Sequence, residues 1–189
     1  EKIIKRKRIL IRVHGSKKIG LGHVYNMLTV LNHLRNEDLL IVMYKKSSLG
    51  STKFKENLYK IKYFTTQSQL LKIISKFKPN IIFNDILDTS PDYMKKLKKF
   101  NSLLVNFEDL GEGRKYADLI FNPIFNTASK NFKILTSSYK KLKNEFFGSQ
   151  YACVRDEFRV WKRKSLRKHV KNILISFGGA DPSNHTMRI

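Results

Sequence analysis

Cysteine is almost absent from this chain, and acidic residues are scarce. Its 189 residues hold one cysteine, Cys153, with four prolines, one tryptophan, and 15 Asp and Glu against 38 Lys and Arg. A single thiol cannot close an internal disulfide, which excludes the disulfide-stapled secreted scaffolds and fits a reducing, cytoplasmic setting. No apolar run reaches the ~18–20 residues needed to cross a bilayer, and no signal-peptide pattern is present. No Cys/His/carboxylate cluster has metal-ligand spacing, so neither a metal site nor a cofactor is expected. A Gly-x-Ser-x-Gly elbow is also missing, and without a Cys–His context Cys153 reads as packed rather than reactive.

The shortage of carboxylates leaves a formal charge of +23. Basic clusters lie at Lys5-Arg6-Lys7-Arg8, around Lys95 to Lys99, and from Arg159 to Lys171. None is interleaved with aromatics as a base-stacking platform would be, and no zinc-finger, RNA-recognition or helix-turn-helix signature occurs. No specific nucleic-acid partner is expected. Nonspecific polyanion attraction and weak contact with an anionic membrane surface both follow from the charge.

Short apolar runs alternate with helix-period segments. Strands are expected at Ile9–Val13, Leu39–Tyr44, Lys62–Phe64, Asn80–Asn84, Leu103–Phe107 and Leu119–Asn122. Helices are expected at about 23–35, 52–60, 67–77, 91–100 and 112–117. The runs Ile81-Ile82-Phe83 and Leu103-Leu104-Val105 read as strands buried on both faces, so the fold class is α/β, a Rossmann-like doubly wound parallel sheet. Such sheets bind ligands beyond the carboxyl ends of their strands, which selects His14 to His23, Asp85 to Thr89 and Glu108 to Gly113. Phe125–Phe147 reads as a loop with a short helix. A further apolar run, Asn172–Phe177, enters Gly178-Gly179-Ala180-Asp181-Pro182 and reads as the first buried strand and glycine loop of another α/β domain. The expected organisation is a basic segment 1–8, a Rossmann-like domain 9–158, a charged linker 159–171, and the start of a C-terminal domain at 172–189. The initial Glu1 fits part of a longer polypeptide.

Between the first strand and first helix lies Gly15-Ser16-Lys17-Lys18-Ile19-Gly20-Leu21-Gly22-His23-Val24. Glycines permit close backbone approach to a ligand, and the free N–H groups at the helix start face it, forming a cradle for an anion. The spacing matches neither the dinucleotide fingerprint nor a Walker loop. His23, in the first helical turn, places a titratable group beside the cradle.

Five segments occur in register: Ile19-Gly20-Leu21-Gly22-His23-Val24, Phe107-Glu108-Asp109, Ala117-Asp118-Leu119-Ile120-Phe121-Asn122, Tyr151 to Phe158, and Phe177-Gly178-Gly179-Ala180-Asp181-Pro182. Together they resemble the UDP-sugar hydrolase of the pseudaminic acid pathway and the related spore-coat polysaccharide biosynthesis proteins, themselves similar to two-domain GT-B glycosyltransferases. The resemblance implies the N-terminal half of a GT-B-type enzyme, with the C-terminal half supplying most of the UDP site. It implies metal-independent release of UDP from a UDP-2,4-diacetamido-2,4,6-trideoxy sugar, feeding nonulosonic-acid or surface-polysaccharide synthesis. His23 matches the family histidine implicated in catalysis, Gly20 and Gly22 its cradle, and Asp109 an acidic position after the fifth strand. His14 replaces an expected aspartate, and Asn26 an expected arginine. A related subgroup is joined to a nucleotidyltransferase domain, so fusion to or association with one is a further expectation.

A hydrolase of this kind must activate water and stabilise departing UDP. Neutral histidine can take the proton near neutral pH, and the helix start favours that neutral form. His23 is therefore the expected general base, with Asp109 as the second catalytic group. Gly20, Gly22, His14, Asp85, Asp88 and Glu108 are the expected substrate contacts, any of these carboxylates being able to orient His23. On the resemblance, Gly178, Gly179 and Asp181 contact the nucleotide, and residues 1–189 alone are expected to be inactive. The alternatives are a GT-B-type glycosyltransferase using a UDP-sugar, with an acceptor hydroxyl in place of water, and a non-catalytic basic binding module.

Overall fold

In a computed structural model, residues 6–123, 142–161, 165, 169–177, 181 and 184–189 are described. Strands β1 (Arg8–Val13), β2 (Asp38–Tyr44), β3 (Ile61–Phe64), β4 (Ile81–Asp85), β5 (Leu103–Phe107), β6 (Leu119–Asn122) and β7 (Glu145–Phe147) form one sheet. All pairings are parallel, in the order β3-β2-β1-β4-β5-β6-β7. Helices α1 (Gly22–Asn32), α2 (Ser51–Glu56), α3 (Gln67–Phe77), α4 (Pro91–Lys98) and α5 (Asp156–Val160) are also described. This is the expected Rossmann-like architecture. Strand order reverses between β1 and β4, and such a switch point opens a crevice beyond the carboxyl ends of the two strands.

The period-2 pattern of β1 explains why helices cover both faces of the sheet. Ile9, Ile11 and Val13 join Val24, Met27 and Leu31 of α1 in one buried cluster, with Phe54 of α2. Leu10 faces the other way, into a cluster with Leu70 and Ile74 of α3 and Met94 and Leu97 of α4. Replacing a side chain as buried as Ile11 with alanine costs about 2–5 kcal/mol. Arg12 shares the Leu10 face, an exception whose consequence is developed below.

Helix starts differ in a way that matters for ligand binding. At α3, Thr66 accepts a hydrogen bond from Gln69 N at 3.2 Å, while Gln69 Oε1 accepts from Thr65 N at 2.8 Å. At α4, Ser90 accepts from Tyr93 N at 3.3 Å and Pro91 occupies the first helical position. By contrast, α1 follows Leu21, with no side-chain cap and no acidic residue in its first turn. Its leading N–H groups are left for another acceptor.

Two expectations are corrected. α1 stops at Asn32 and α2 at Glu56, short of the expected ends. Within Phe125–Phe147, residues 125–141 lie outside the described residues, but Glu145–Phe147 is a seventh strand, paired Ile120 to Glu145. Its buried acid hid it: Glu145 accepts from Asn122 Nδ2 at 2.8 Å and Leu142 N at 3.1 Å, so a charged residue sits where a strand pattern calls for an apolar one. Separately, Asn172–Phe177, expected as the first strand of another domain, has no partner among the described strands of this sheet, and Leu174 is 92% exposed. Apolar composition supplies no ladder by itself; a strand needs a neighbour to satisfy its backbone.

Candidate active site at the switch point of the sheet

Parallel pairing sets Val13 beside Asp85, bringing the carboxyl ends of β1 and β4 together beneath the start of α1. There His23 Nδ1 meets Asp85 Oδ1 at 2.6 Å, with both side chains almost completely buried. His23 Nε2 has no described partner and keeps some access to solvent. The bond therefore selects the orientation in which Nδ1–H faces Asp85 and Nε2 is the basic nitrogen. On the far side, Asn26 Nδ2 donates to Glu108 Oε1 at 3.3 Å. Glu108 leaves β5 at a positive φ of 53°, a left-handed turn that lets it flank the dyad.

Burial pulls the His23 pKa down, but the Asp85 hydrogen bond, the Asp85 charge and the Glu108 charge outweigh it, leaving the pKa above 6.5. This corrects the expectation that the helix start favours neutral imidazole: the carboxylates dominate. Burial raises the Asp85 pKa while His23 opposes it. Burial also lifts Glu108, helped by the Asp85 charge and opposed by His23 and the Asn26 hydrogen bond. The group can gain a proton at Nε2 near neutral pH and hold the resulting imidazolium against two carboxylates. Cys153 feels the same field; burial and the Asp85 and Glu108 charges push its thiol up to about 11, so it stays protonated.

The glycine loop shapes the approach. Ser16 N donates to Gly20 O at 3.3 Å and Gly20 N to Ser16 O at 2.8 Å, closing a small hairpin in which Gly20 has φ 77°. A side chain at Gly15 would strike Leu49 O, whereas a Cβ on Gly22 would meet nothing within 4 Å. Ser16, Lys17, Gly20, Gly22 and Tyr25 border a cleft of about 600 Å³ there. An oxyanion in it would meet the uncapped α1 start and Lys17. A larger cleft of about 1040 Å³ lies at the opposite, amino edge of the sheet, lined by Arg8, Arg35 and Lys60. Neither cleft is bordered by His23, Asp85 or Glu108; the glycine-loop cleft is the one at the start of the helix that carries His23.

The structure thus brings His23, Asp85 and Glu108 together, while Gly20 and Gly22 line the cleft at the start of α1. His14 lies near them, its pKa lowered to about 4 by burial, then by the charges of Arg12 and His23. Asp109, expected as the second catalytic group, is instead a brace with no solvent exposure. It accepts from Thr89 N at 3.0 Å, Thr89 Oγ1 and Asn106 Nδ2 at 2.6 Å, and Gly111 N at 2.9 Å. With both oxygens occupied it has no capacity left for substrate. Asp88 accepts from Leu110 N at 3.0 Å in the same loop system. Gly178 and Gly179 lie outside the described residues, and Asp181 accepts from His185 N and Thr186 N, each at 2.9 Å. Among the described residues no group of three His, Cys, Asp or Glu could hold a metal, and no helix is long and apolar enough to cross a membrane.

Sequence reasoning passed over the buried amides. Asn84 Nδ2 donates to Asn106 Oδ1 at 2.9 Å, and Tyr93 donates its hydroxyl to Asn84 Oδ1 at 2.7 Å, tying β4, β5 and α4 together behind the site. Arg12 was also passed over. The available signal was the same for each: a polar residue breaking an otherwise apolar strand.

No family model matches the chain. It is 34% identical over 189 residues to uncharacterized protein MJ1062 of Methanocaldococcus jannaschii, covering 96% of this chain and 39% of that protein. It is 23% identical over 180 residues to the spore coat polysaccharide biosynthesis protein SpsG of Bacillus subtilis, covering 93% of this chain and 51% of SpsG. The chain therefore spans about two fifths to one half of these relatives. Among solved structures, Acinetobacter baumannii MurG matches with a TM-score of 0.53 at 8% identity, over 75% of this chain and 44% of MurG. The likeness to MurG shows the fold alone, the Rossmann-like α/β arrangement of a parallel sheet flanked by helices.

Proposed function

We propose that this chain supplies the catalytic face of a sugar-nucleotide enzyme that releases UDP from a UDP-2,4-diacetamido-2,4,6-trideoxy sugar by hydrolysis. One observation carries the reading: a His23–Asp85 pair, with Nε2 open, stands at the switch point beside an uncapped helix start. Asp85 holds the imidazole. His23 Nε2 takes a proton from water as its oxygen bonds to the anomeric carbon. The bond from that carbon to the phosphate oxygen breaks, and its electrons leave with UDP. The N–H groups at the start of α1 and Lys17 face the cleft where negative charge grows, the arrangement that favours an anionic leaving group. SpsG is a spore coat polysaccharide biosynthesis protein, and the similarity to it supports a place in surface-carbohydrate synthesis.

A second reading rests on the fold shared with MurG: a glycosyltransferase in which an acceptor hydroxyl replaces water and His23 takes its proton. Incubating the full-length protein with UDP-diacetamido-trideoxy sugars, without acceptor, separates the two. A hydrolase releases UDP, and His23→Ala lowers that release by about 10²–10⁴-fold. No release from a folded protein that binds UDP excludes hydrolysis of those sugars, and release only on adding an acceptor establishes transfer.

A further inference from the structure

A second cleft, of about 330 Å³, opens on the other face of β1, between the ends of β1 to β3 and the starts of α3 and α4. Arg12 and His14 form its floor, Tyr93 and Phe64 its apolar walls, and the cap residues Thr66 and Ser90 its rim. The Arg12 guanidinium lies over the Tyr93 ring at 4.2 Å and 5.6 Å from the Phe64 ring centre. Its Nε is shut off from solvent without a hydrogen-bond partner. Its polar company is the Tyr93 hydroxyl, and no described carboxylate pairs with it. A largely buried cation without a counter-charge is costly to keep.

Its surroundings add to the same sign. His14 carries no negative charge in either protonation state, and its Nε2 is also buried without a partner. Two helices, α3 and α4, start at the rim and contribute positive dipole ends. Thr66 and Ser90 use their oxygens to accept backbone N–H bonds, which leaves both hydroxyl protons free to donate outward. Arginine, two hydroxyl donors and two helix starts around an apolar wall make a receptor for an oxyanion, with a planar fork suited to bidentate capture.

We infer that the cleft over Arg12 and Tyr93 is a binding subsite for a small oxyanion, a carboxylate or phosphate group, separate from the His23 centre across β1. The group belongs either to a substituent of the substrate or to a free oxyanion, and the inference does not depend on the reaction proposed above.

The test uses the full-length protein, inorganic phosphate and acetate as probes, and chloride to match ionic strength. Phosphate or acetate should raise Tm and shift the Arg12 Nε–H resonance. Arg12→Met keeps the packing over Tyr93 and should lose about tenfold or more in anion affinity, while its Tm in chloride does not fall below the wild-type value. Lys76→Met, an exposed control, should retain the wild-type anion response. Equal responses in wild type and Arg12→Met, or an unmoved Arg12 resonance, would overturn the inference by reducing it to salt acting on a basic protein. If Arg12→Met does not fold, Arg12→Lys keeps the charge without the fork and should bind more weakly; unchanged affinity overturns the inference. Phosphate that competes with the sugar nucleotide identifies a substrate substituent, and phosphate that binds without raising KM identifies a free oxyanion.

Discussion

Asp85→Asn isolates what the buried carboxylate does for His23. The variant keeps the shape of the side chain and an oxygen able to accept from Nδ1, but removes the charge. The hydrogen bond can persist but is no longer charge-assisted; bonds to charged groups contribute about 1.5–3 kcal/mol against about 1 for neutral ones. Removing that charge lowers the His23 pKa. In the native protein burial lowers the pKa, while Asp85 and then Glu108 raise it to a net value above 6.5. With Asp85 neutral, only the smaller Glu108 effect opposes burial, so the pKa should drop below 6.5.

The sign of the pH dependence should then invert. A histidine whose folded pKa exceeds its unfolded value stabilises the fold fully below the unfolded value, and that contribution is lost as pH climbs through the folded value. Native stability should therefore fall just above pH 6.5, by at most about 1.4 kcal/mol per pH unit for one proton. In Asp85→Asn the folded state binds fewer protons than the unfolded chain just below pH 6.5, and stability should rise there instead. His14, lowered to about 4, contributes a rising slope between 4 and 6.5 in both proteins, and its ring is followed in the same titration because part of its shift comes from the His23 charge. Chemical denaturation from pH 5 to 8, with NMR titration of the His23 ring, measures both effects. The acid limb of kcat/KM for UDP release should move down with the His23 pKa, with a loss at neutral pH of about 10²–10⁴-fold. An unchanged His23 titration midpoint would refute the electrostatic reasoning whatever happened to activity.

Two further substitutions separate architecture from ligand contact. Gly22→Ala meets no protein atom within 4 Å and should stabilise the first turn of α1 by about 0.4–1 kcal/mol, while raising KM because the new methyl enters the cleft. A lower melting temperature or an unchanged KM would remove Gly22 from the binding surface. Asp109→Ala strands four donors behind the site and should cost about 3 kcal/mol or more in urea denaturation, while the acid limb of the activity profile stays in place. A shifted limb would return Asp109 to the chemistry.

Most of the sheet was legible because its strands are apolar on both faces, as at Leu103–Phe107, and periodicity finds such runs. β7 was not, because Glu145 is paid for by Asn122 and Leu142, partners that no local window contains. The same limit governs the site. Position after a strand marked Asp85, Asp88, Glu108 and Asp109 alike, yet the structure gives them different work. Asp85 is aligned with Val13 by the β1–β4 register and so lies under α1, where His23 descends. Asp109 is only one residue beyond Glu108, but the left-handed turn at Glu108 directs the two carboxylates to different tasks. One flanks the histidine through Asn26, and the other ties Thr89, Asn106 and Gly111 into the loop wall. Which carboxylate orients the base is thus decided by strand register and one positive φ, both set by long-range pairing. Carboxylate chemistry can be read from composition, but its assignment to a proton requires the fold.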